Sequence, residues 1–474
     1  MIALLLTLLA LPAVAKPPEI MKRQPSVPPL ATVSVPSRVR FKLDNDMRVV
    51  FVEDHRVPLV TVSLAFVGGA RIVGRGGAGT AEAFAALLTG GTPRLSSKEI
   101  VEEADAFGGT IEGESDADNI FLSAFALADK SKRMFELLDH CAFDSSFPVA
   151  EVKLRRENML EELRIKRSQT DYLAGTAFYR ALFGEHPYGL VATEKTIAKI
   201  DPARLRALHN RASMTSNMIV YVVGDLSRGE VEALLRDTLG RHTSRGALPI
   251  PPFPELGLDR NAQRRVMLLN RPGSAQASLR IGHRAPRETH PDYAALQIAN
   301  MILGGSFAAR LTTDLREKRG YTYGIYSSLP SWRSAGAFRI GAQVRTPVAK
   351  KSLQIVIKHL KKLRRWKASR TEIDQAKNLL VASFVKEFET QSGILEAVSH
   401  ADLRGLPDDY LDGYVSRIQA VTRKQARAAA RAHINPDKAA LAVVGDAAAL
   451  ESALKRLSAA PLSRVDENGA PIAR

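Results

Sequence analysis

At 474 residues the chain exceeds what one hydrophobic core usually supports, and its 45% hydrophobic and 25% charged residues exclude a wholly disordered or collagen-like polypeptide. A single cysteine, Cys141, excludes an intramolecular disulfide framework and any cysteine-based zinc or iron–sulfur site. The net charge of +17 invites acidic partners without choosing among them.

Met1 to Ala15 is an uncharged apolar run ending in the small-x-small pattern Ala13-Val14-Ala15. Too short to span a bilayer, it predicts a secretory signal over 1–15, a mature chain from Lys16 and export to the periplasm, although no basic residue precedes it. Export argues against a nucleic-acid role. Residues 16–36 are a proline-rich, extended lead-in. Val39, Phe41 and Leu43 then alternate with polar residues, Asp44-Asn45-Asp46 supplies a turn, and Met47, Val49 and Phe51 resume the alternation, which predicts a hairpin. Val60, Val62, Leu64 and Phe66 predict a half-buried strand. Helices follow over 80–90 and 97–107, the second stopped by Gly108-Gly109; a strand covers Ile120 to Leu127, and helices cover 130–142 and 148–166.

The chain repeats itself. Val222-Val223-Gly224-Asp225 and Val443-Val444-Gly445-Asp446 each end an apolar strand, 221 residues apart. The second copy opens like the first, with a strand over Gln276 to Gly282, a helix over 292–303 and a strand over Phe338 to Val344. Pro249, Pro251, Pro252 and Pro254 punctuate the segment between. The reading is two similar α+β domains, 37–245 and 263–460, joined by a proline-rich linker over 246–262 and followed by a tail over 461–474.

Several constellations that could carry chemistry fall away. Gly74-Arg75-Gly76-Gly77-Ala78-Gly79 fits G-x-G-x-x-G, but the acidic strand end of a dinucleotide site is replaced by a helical stretch around Glu99, so a turn at a helix start is the better reading. No two of the ten histidines are three or four apart, so no helix presents two imidazoles on one face. No G-x-S-x-G elbow is present, and Cys141 reads as a small buried group. Lys358 to Lys367 is the densest basic run, but Leu353, Val356, Ile357, Leu360 and Leu363 recur at helical spacing, so the lysines read as the solvated face of an amphipathic helix. In Leu315-Arg316-Glu317-Lys318-Arg319-Gly320-Tyr321-Thr322-Tyr323-Gly324 a charged helix end runs through a glycine turn into an aromatic strand. Arg316 and Tyr323 could converge there as donors to a peptide carbonyl or oxyanion, or serve as a helix cap and an ordinary sheet tyrosine.

Gly68-Gly69-Ala70-Arg71, Gly91-Thr92, Gly108-Gly109, His186-Pro187-Tyr188-Gly189, the two Val-Val-Gly-Asp ends and Gly304-Gly305-Ser306-Phe307 together resemble the pitrilysin/insulinase family of inverzincins, particularly its mitochondrial-processing-peptidase-like bacterial branch, over about residues 36 to 460. The resemblance implies two domains, each a mainly antiparallel sheet backed by helices, closing as a clam shell over a peptide. Active members carry H-x-x-E-H, two zinc ligands and the base that activates water. In this chain Glu82 stands at the first histidine, Ala85 at the base and Ala86 at the second histidine, while Glu162 matches the distal ligand. The resemblance therefore implies that the chain binds no metal, and it identifies Arg316 and Tyr323 with the family's substrate-holding pair.

The expectation that follows is a zinc-free subunit of a heterodimeric periplasmic metallopeptidase, inactive alone. It would lend Arg316, Tyr323 and half of a chamber to a partner that bears H-x-x-E-H and the zinc. Peptides would be the substrates, with Thr110, Ile111 and Glu112 pairing with them as an edge strand; a membrane surface and nucleic acid are disfavoured as partners. The alternatives are a non-enzymatic structural or binding protein of the same fold, and an envelope-surface binder acting through the basic helix at 350–367.

Overall fold

The computed structural model describes residues 34–472, apart from 75, 244–245, 247–255, 260–261, 366–367 and 458–460. The signal run, nearly all of the lead-in and the four linker prolines lie outside the described residues. Val33–Arg474 forms one compact unit built on two six-stranded sheets.

The first sheet contains β1 (Val39–Lys42), β2 (Arg48–Glu53), β3 (Leu59–Val67), β4 (Thr110–Ser115), β5 (Asn119–Leu127) and β6 (Met218–Gly224), in the order β1-β2-β6-β3-β5-β4. The second contains β7 (Arg265–Asn270), β8 (Gln276–Ala285), β9 (Ile325–Ser328), β10 (Gly336–Arg345), β11 (Ala440–Gly445) and β12 (Ser463–Arg464), in the order β12-β7-β11-β8-β10-β9. Apart from β1 and β12 the two orders correspond strand for strand, so the repeated Val-Val-Gly-Asp is a repeat of topology. Each sheet is more mixed than the antiparallel expectation: β2 and β6 run parallel, as do β7 and β11 and the short β12 beside β7. A parallel neighbour needs a long crossover, and the helices between β5 and β6, and between β10 and β11, supply it.

The helices that matter below are α1 (Thr80–Leu87), α2 (Val149–Ser168), α3 (Thr170–Phe183), α4 (Tyr293–Asn300), α5 (Ala349–Arg365), α6 (Arg370–Glu387), α7 (Gln391–Arg404) and α8 (Arg423–His433). The helix expected over 292–303 stops being regular at Asn300 and continues as a widened turn over Met301–Gly305. Gly304 lets that turn press on β9, since a Cβ there would lie 2.8 Å from Ser327 Oγ.

Strands β6 and β11 are apolar without alternation because both of their faces are buried. On one face of the first sheet Phe51, Leu64, Phe66 and Val220 pack with Phe84 of α1 and the other helices of the first half. The opposite face presents Val50, Val52, Ile219 and Val223, and these are covered from the second half by Phe384 of α6 and by Ile394 and Val398 of α7. The second sheet mirrors this. Leu268, Leu279, Ile281 and Phe338 pack on Leu353, Val356 and Leu360 of α5. Met267, Leu269, Ala442 and Val444 are covered by Leu173, Ala177 and Phe178 of α3, from the first half. Each half thus lends the other a cover, and every large side chain so buried stabilises the fold by about 1.5–3 kcal/mol. The result is two mixed α+β domains in a clam-shell arrangement.

Polar contacts fix the same seam. Asp118, in the β4–β5 turn, is 1% exposed and accepts hydrogen bonds from Tyr188 Oη at 2.6 Å, Arg404 Nη1 at 2.7 Å and the Arg333 N–H at 2.9 Å. Tyr188 also stacks on Trp332, with ring centroids 5.3 Å apart. The His186-Pro187-Tyr188-Gly189 motif therefore ties the halves together.

Candidate functional site

The helix that matches the zinc motif is α1, entered through Gly79 at φ 90°. Its apolar side carries Phe84, Leu87 and Leu88 into the core, as the sequence pattern predicts. Glu82 and Ala86, one turn apart, share its half-buried face, while Ala85 is fully buried. Strand β4 lies hard against this helix: a Cβ at Gly113 would fall 1.8 Å from the Ala85 carbonyl oxygen, so only glycine permits the contact.

Helix α2 faces α1 with Arg155, Met159, Glu162 and Lys166, spaced four, three and four residues apart and hence on one stripe. Arg155 Nη1 is 2.7 Å from Glu162 Oε1 and its Nη2 is 3.4 Å from Glu82 Oε1; Lys166 Nζ lies 3.8 Å from the same Glu82 oxygen. A guanidinium thus joins the two carboxylates that match zinc-ligand positions. Gly79, Glu82, Glu162, Lys166 and Tyr172 line an adjoining cavity of about 300 Å³. The sequence reading missed Arg155, although its seven-residue spacing from Glu162 on a helix was the available signal. Cys141 is buried in a helix, where desolvation pushes its thiol up to about 12, so no thiolate nucleophile forms at neutral pH.

The second half builds its own site beside β9. Around Arg316 the helix widens, with Lys318 N–H donating to Thr313 O at 3.1 Å. It then stops at a left-handed glycine cap: Gly320 adopts φ 59°, its N–H donates to Arg316 O, and the Tyr321 N–H donates to Leu315 O. Thr322 Oγ1 pins the following loop to β10, at 2.6 Å from Gln343 O. Tyr323 is left standing out, 88% exposed. The Arg316 guanidinium carbon sits 4.4 Å from the Phe307 ring centroid and 5.0 Å from that of Tyr323, so the structure brings Arg316 and Tyr323 together as a cation between two rings. Thr110, Ile111 and Glu112 lie elsewhere, on β4, the terminal strand of the first sheet. Thr110 and Glu112 are exposed and Ile111 packs partly on the core.

Among the described residues, the one group of three side chains placed to hold a metal ion is His290, Asp292 and His433, in the second half and apart from Glu82 and Glu162. The basic helix α5 buries Leu353, Val356, Ile357, Leu360 and Leu363 and exposes Lys351, Lys358, Lys361, Lys362 and Arg365, the division its periodicity predicts.

Comparison with known proteins adds the following. Residues 48–192 match the family profile described as insulinase (peptidase family M16), and residues 199–380 match the profile described as peptidase M16 inactive domain. An uncharacterized zinc protease of Mycobacterium bovis is 25% identical over 379 residues, covering 80% of this chain and 86% of its own. A Helicobacter pylori protein named as a non-peptidase homolog is 23% identical, covering 84% of this chain and 91% of its own. The crystal structure of a peptidase M16 inactive domain from Pseudomonas fluorescens superimposes with a TM-score of 0.80 at 26% identity, covering 86% of this chain and 98% of that one. The periplasmic protease PqqL of Escherichia coli shares the fold, with a TM-score of 0.73 at 14% identity, covering 87% of this chain and 46% of that one.

These findings correct the expected division of labour. The catalytic-type and inactive profiles both fall on this one polypeptide, and a relative of similar extent is named as a non-peptidase. Nothing in that architecture calls for a separate H-x-x-E-H subunit, so the heterodimeric metallopeptidase, the partner and the zinc assigned to that partner are withdrawn. What stands is one polypeptide carrying both family domains, in which the two candidate zinc-ligand carboxylates are bridged by Arg155. The chain belongs to the insulinase (M16) peptidase family and carries both its catalytic-type and its inactive domain.

Proposed function

We propose that the chain is a non-peptidase member of its family that binds extended peptide segments without hydrolysing them. The observation that carries this is the Arg155 bridge between Glu82 and Glu162. Arg155, with Lys166 beside Glu82, offsets the charge of both carboxylates, and Ala85 supplies no base, so water activation has neither a metal nor a proton acceptor at that position.

The ligand would meet two surfaces. Among the described residues strand β4 has a neighbouring strand on one side only, so its backbone at Thr110, Ile111 and Glu112 would accept an added strand. The corresponding edge of β9 is occupied, since Asn300 Nδ2 donates to Ser327 O at 3.2 Å. Arg316 and Tyr323 would donate to peptide carbonyls, their rings and guanidinium already held in contact. Export to the periplasm through the Met1–Ala15 run belongs to this reading, as does placement in the mitochondrial-processing-peptidase-like branch on the strength of the Arg316/Tyr323 pair.

Metal analysis and peptide assays on the purified chain test the proposal. The expected result is saturable binding of an unfolded peptide, with no chelator-sensitive hydrolysis. Stoichiometric zinc that disappears in a Glu162→Gln variant, together with chelator-sensitive cleavage, would reverse it.

A further inference from the structure

We infer that the cavity beside Tyr323 recognises peptide segments rich in acidic side chains; this rests on the proposed peptide-binding role and names the ligand's charge class. The cavity measures about 690 Å³ and is lined by Arg280, Arg339, Arg345, Asp171, Tyr323 and Tyr326, among others. Its floor is the same face of the second sheet that α3 covers over β7 and β11. Under α3 that face is apolar, presenting Met267, Leu269, Ala442 and Val444. Past the reach of α3, along β9 and the adjoining stretches of β8 and β10, it turns polar and opens into the cavity.

The register shows how the charges are laid out. Gly341 of β10 pairs with Arg280 of β8 on one side and with Tyr326 of β9 on the other. A Cβ at Gly341 would lie 2.9 Å from Arg280 Nη1, so glycine leaves the space across which that guanidinium lies. Arg339 and Arg345 sit on the same face of β10, two residues before and four after Gly341, which spreads three guanidiniums over roughly 20 Å of strand. A single carboxylate, Asp171, answers them, and it is paired with Arg280. Arg339 Nη1 donates to the neutral Tyr179 hydroxyl at 3.0 Å, and neither Arg339 nor Arg345 has an ion-pair partner among the described residues.

A cleft with two uncompensated guanidiniums concentrates anions, and its low-dielectric wall strengthens each contact relative to a flat surface. Tyr326 is 53% exposed and Tyr323 88%, so rigid aromatic anchors stand at the rim, the residue types that dominate binding hot spots. Side chains of an extended peptide alternate in direction, so carboxylates at every second position would face this floor together. The occupant that fits is an extended segment with acidic residues at alternate positions.

Acidic peptide could instead collect on the outer face of α5 and α8, where Lys358, Lys361 and Arg427 are exposed. The test therefore has two arms. A labelled ten-residue peptide with Asp or Glu at alternate positions, and its Asn/Gln counterpart, are titrated against the full chain by fluorescence anisotropy at physiological salt. The acidic peptide should bind at least ten-fold more tightly. Arg339→Gln with Arg345→Gln should erase that difference, and Arg345→Gln alone, on an exposed side chain, should reduce it without touching the fold. Lys358→Gln with Lys361→Gln and Arg427→Gln should leave it intact. Equal binding of the two peptides overturns the charge class while leaving peptide binding in place. Loss of the preference only in the helix variants moves the site and overturns the inference. Failure of both peptides to bind overturns the inference together with the reading it rests on.

Discussion

In the first half, the carboxylates beside α1 are answered by local cations: Glu82 and Glu162 face Arg155 and Lys166 across a few ångströms. In the second half, the corresponding sheet carries Arg339 and Arg345 without an ion-pair partner among the described residues and holds Tyr323 out in solvent. The scaffold is the same, strand for strand, yet one site is closed by ion pairs and the other is left open. Charge left uncompensated on a rigid sheet is costly to fold with and useful only if a ligand answers it, so the second half is where binding should be sought. The contrast holds only while both halves belong to one cooperative body, and that dependence can be attacked first.

Asp118→Ala should have the largest effect. It removes a 1% exposed carboxylate that answers Arg404, Tyr188 and the Arg333 N–H across the seam, and it leaves the Arg404 guanidinium, 15% exposed, without that partner. Breaking a buried pair in this way costs about 3–5 kcal/mol. Urea unfolding followed by circular dichroism should show a single transition shifted to lower denaturant. Two separated transitions would show that the halves are independent and that the exchanged covers α3 and α7 do not couple them.

His283 sharpens the comparison from within the second half. Its Nδ1 is 2.9 Å from Arg284 O, and its Nε2 accepts the Asn435 N–H at 3.0 Å, an arrangement that suits the neutral ring. Burial, with the nearby Lys438, Arg364 and His433 charges adding to it, pulls its pKa down to about 4. Because the folded value is depressed below the ordinary 6.5, the stabilisation is complete above about pH 6.5, fades as the pH falls and is gone below about pH 4. The loss amounts to about 3 kcal/mol. Unfolding free energy measured from pH 7.5 to 4.5 should fall less steeply for His283→Asn than for the parent; parallel slopes would mean that the imidazole does not titrate as its surroundings demand.

Arg155→Ala should cost less, about 1 kcal/mol, because Glu82 and Glu162 are each about two-fifths exposed and water screens the pair. Its second readout is metal. With the guanidinium gone, only Lys166 still answers the two carboxylates, and calcium or zinc should raise the melting temperature of the variant more than that of the parent. Equal shifts would remove Arg155 from its role as a resident cation.

Much of this was legible in the residues. The alternation from Val60 to Phe66 predicts β3, the Val-Val-Gly-Asp spacing predicts a duplicated sheet, and Glu82, Ala85 and Ala86 mark the broken motif. What was not legible depends on partners. Met267 and Val444 show that a strand face is apolar but not that α3 of the other half covers it, because periodicity encodes burial without naming the neighbour. The parallel pairing of β2 with β6 spans about 165 residues of intervening chain, which no local signal specifies. Arg155 escaped notice because an arginine on a charged helix looks like solvated surface until its two partners converge on it. The expected partner subunit fails for another reason: a kept Arg316/Tyr323 pair beside a lost zinc motif does not require a second chain, since both family domains lie on this one.

The smallest effect on stability, and the sharpest on binding, should come from Tyr323. At 88% exposure its side chain supports little of the fold, so Tyr323→Ala should change unfolding free energy by less than about 0.5 kcal/mol. If the ring and the neighbouring guanidinium form a binding hot spot, the same substitution should weaken peptide affinity by about 2 kcal/mol, roughly thirty-fold. Tyr323→Phe separates the two roles of the residue. It keeps the ring 5.0 Å from the Arg316 guanidinium and removes only the hydroxyl, so the share of affinity lost in the Phe variant measures hydrogen bonding to the peptide, and the share retained measures stacking. Undiminished affinity in both variants would leave an exposed tyrosine with no ligand, and the open half of the molecule would then be as silent as the closed one.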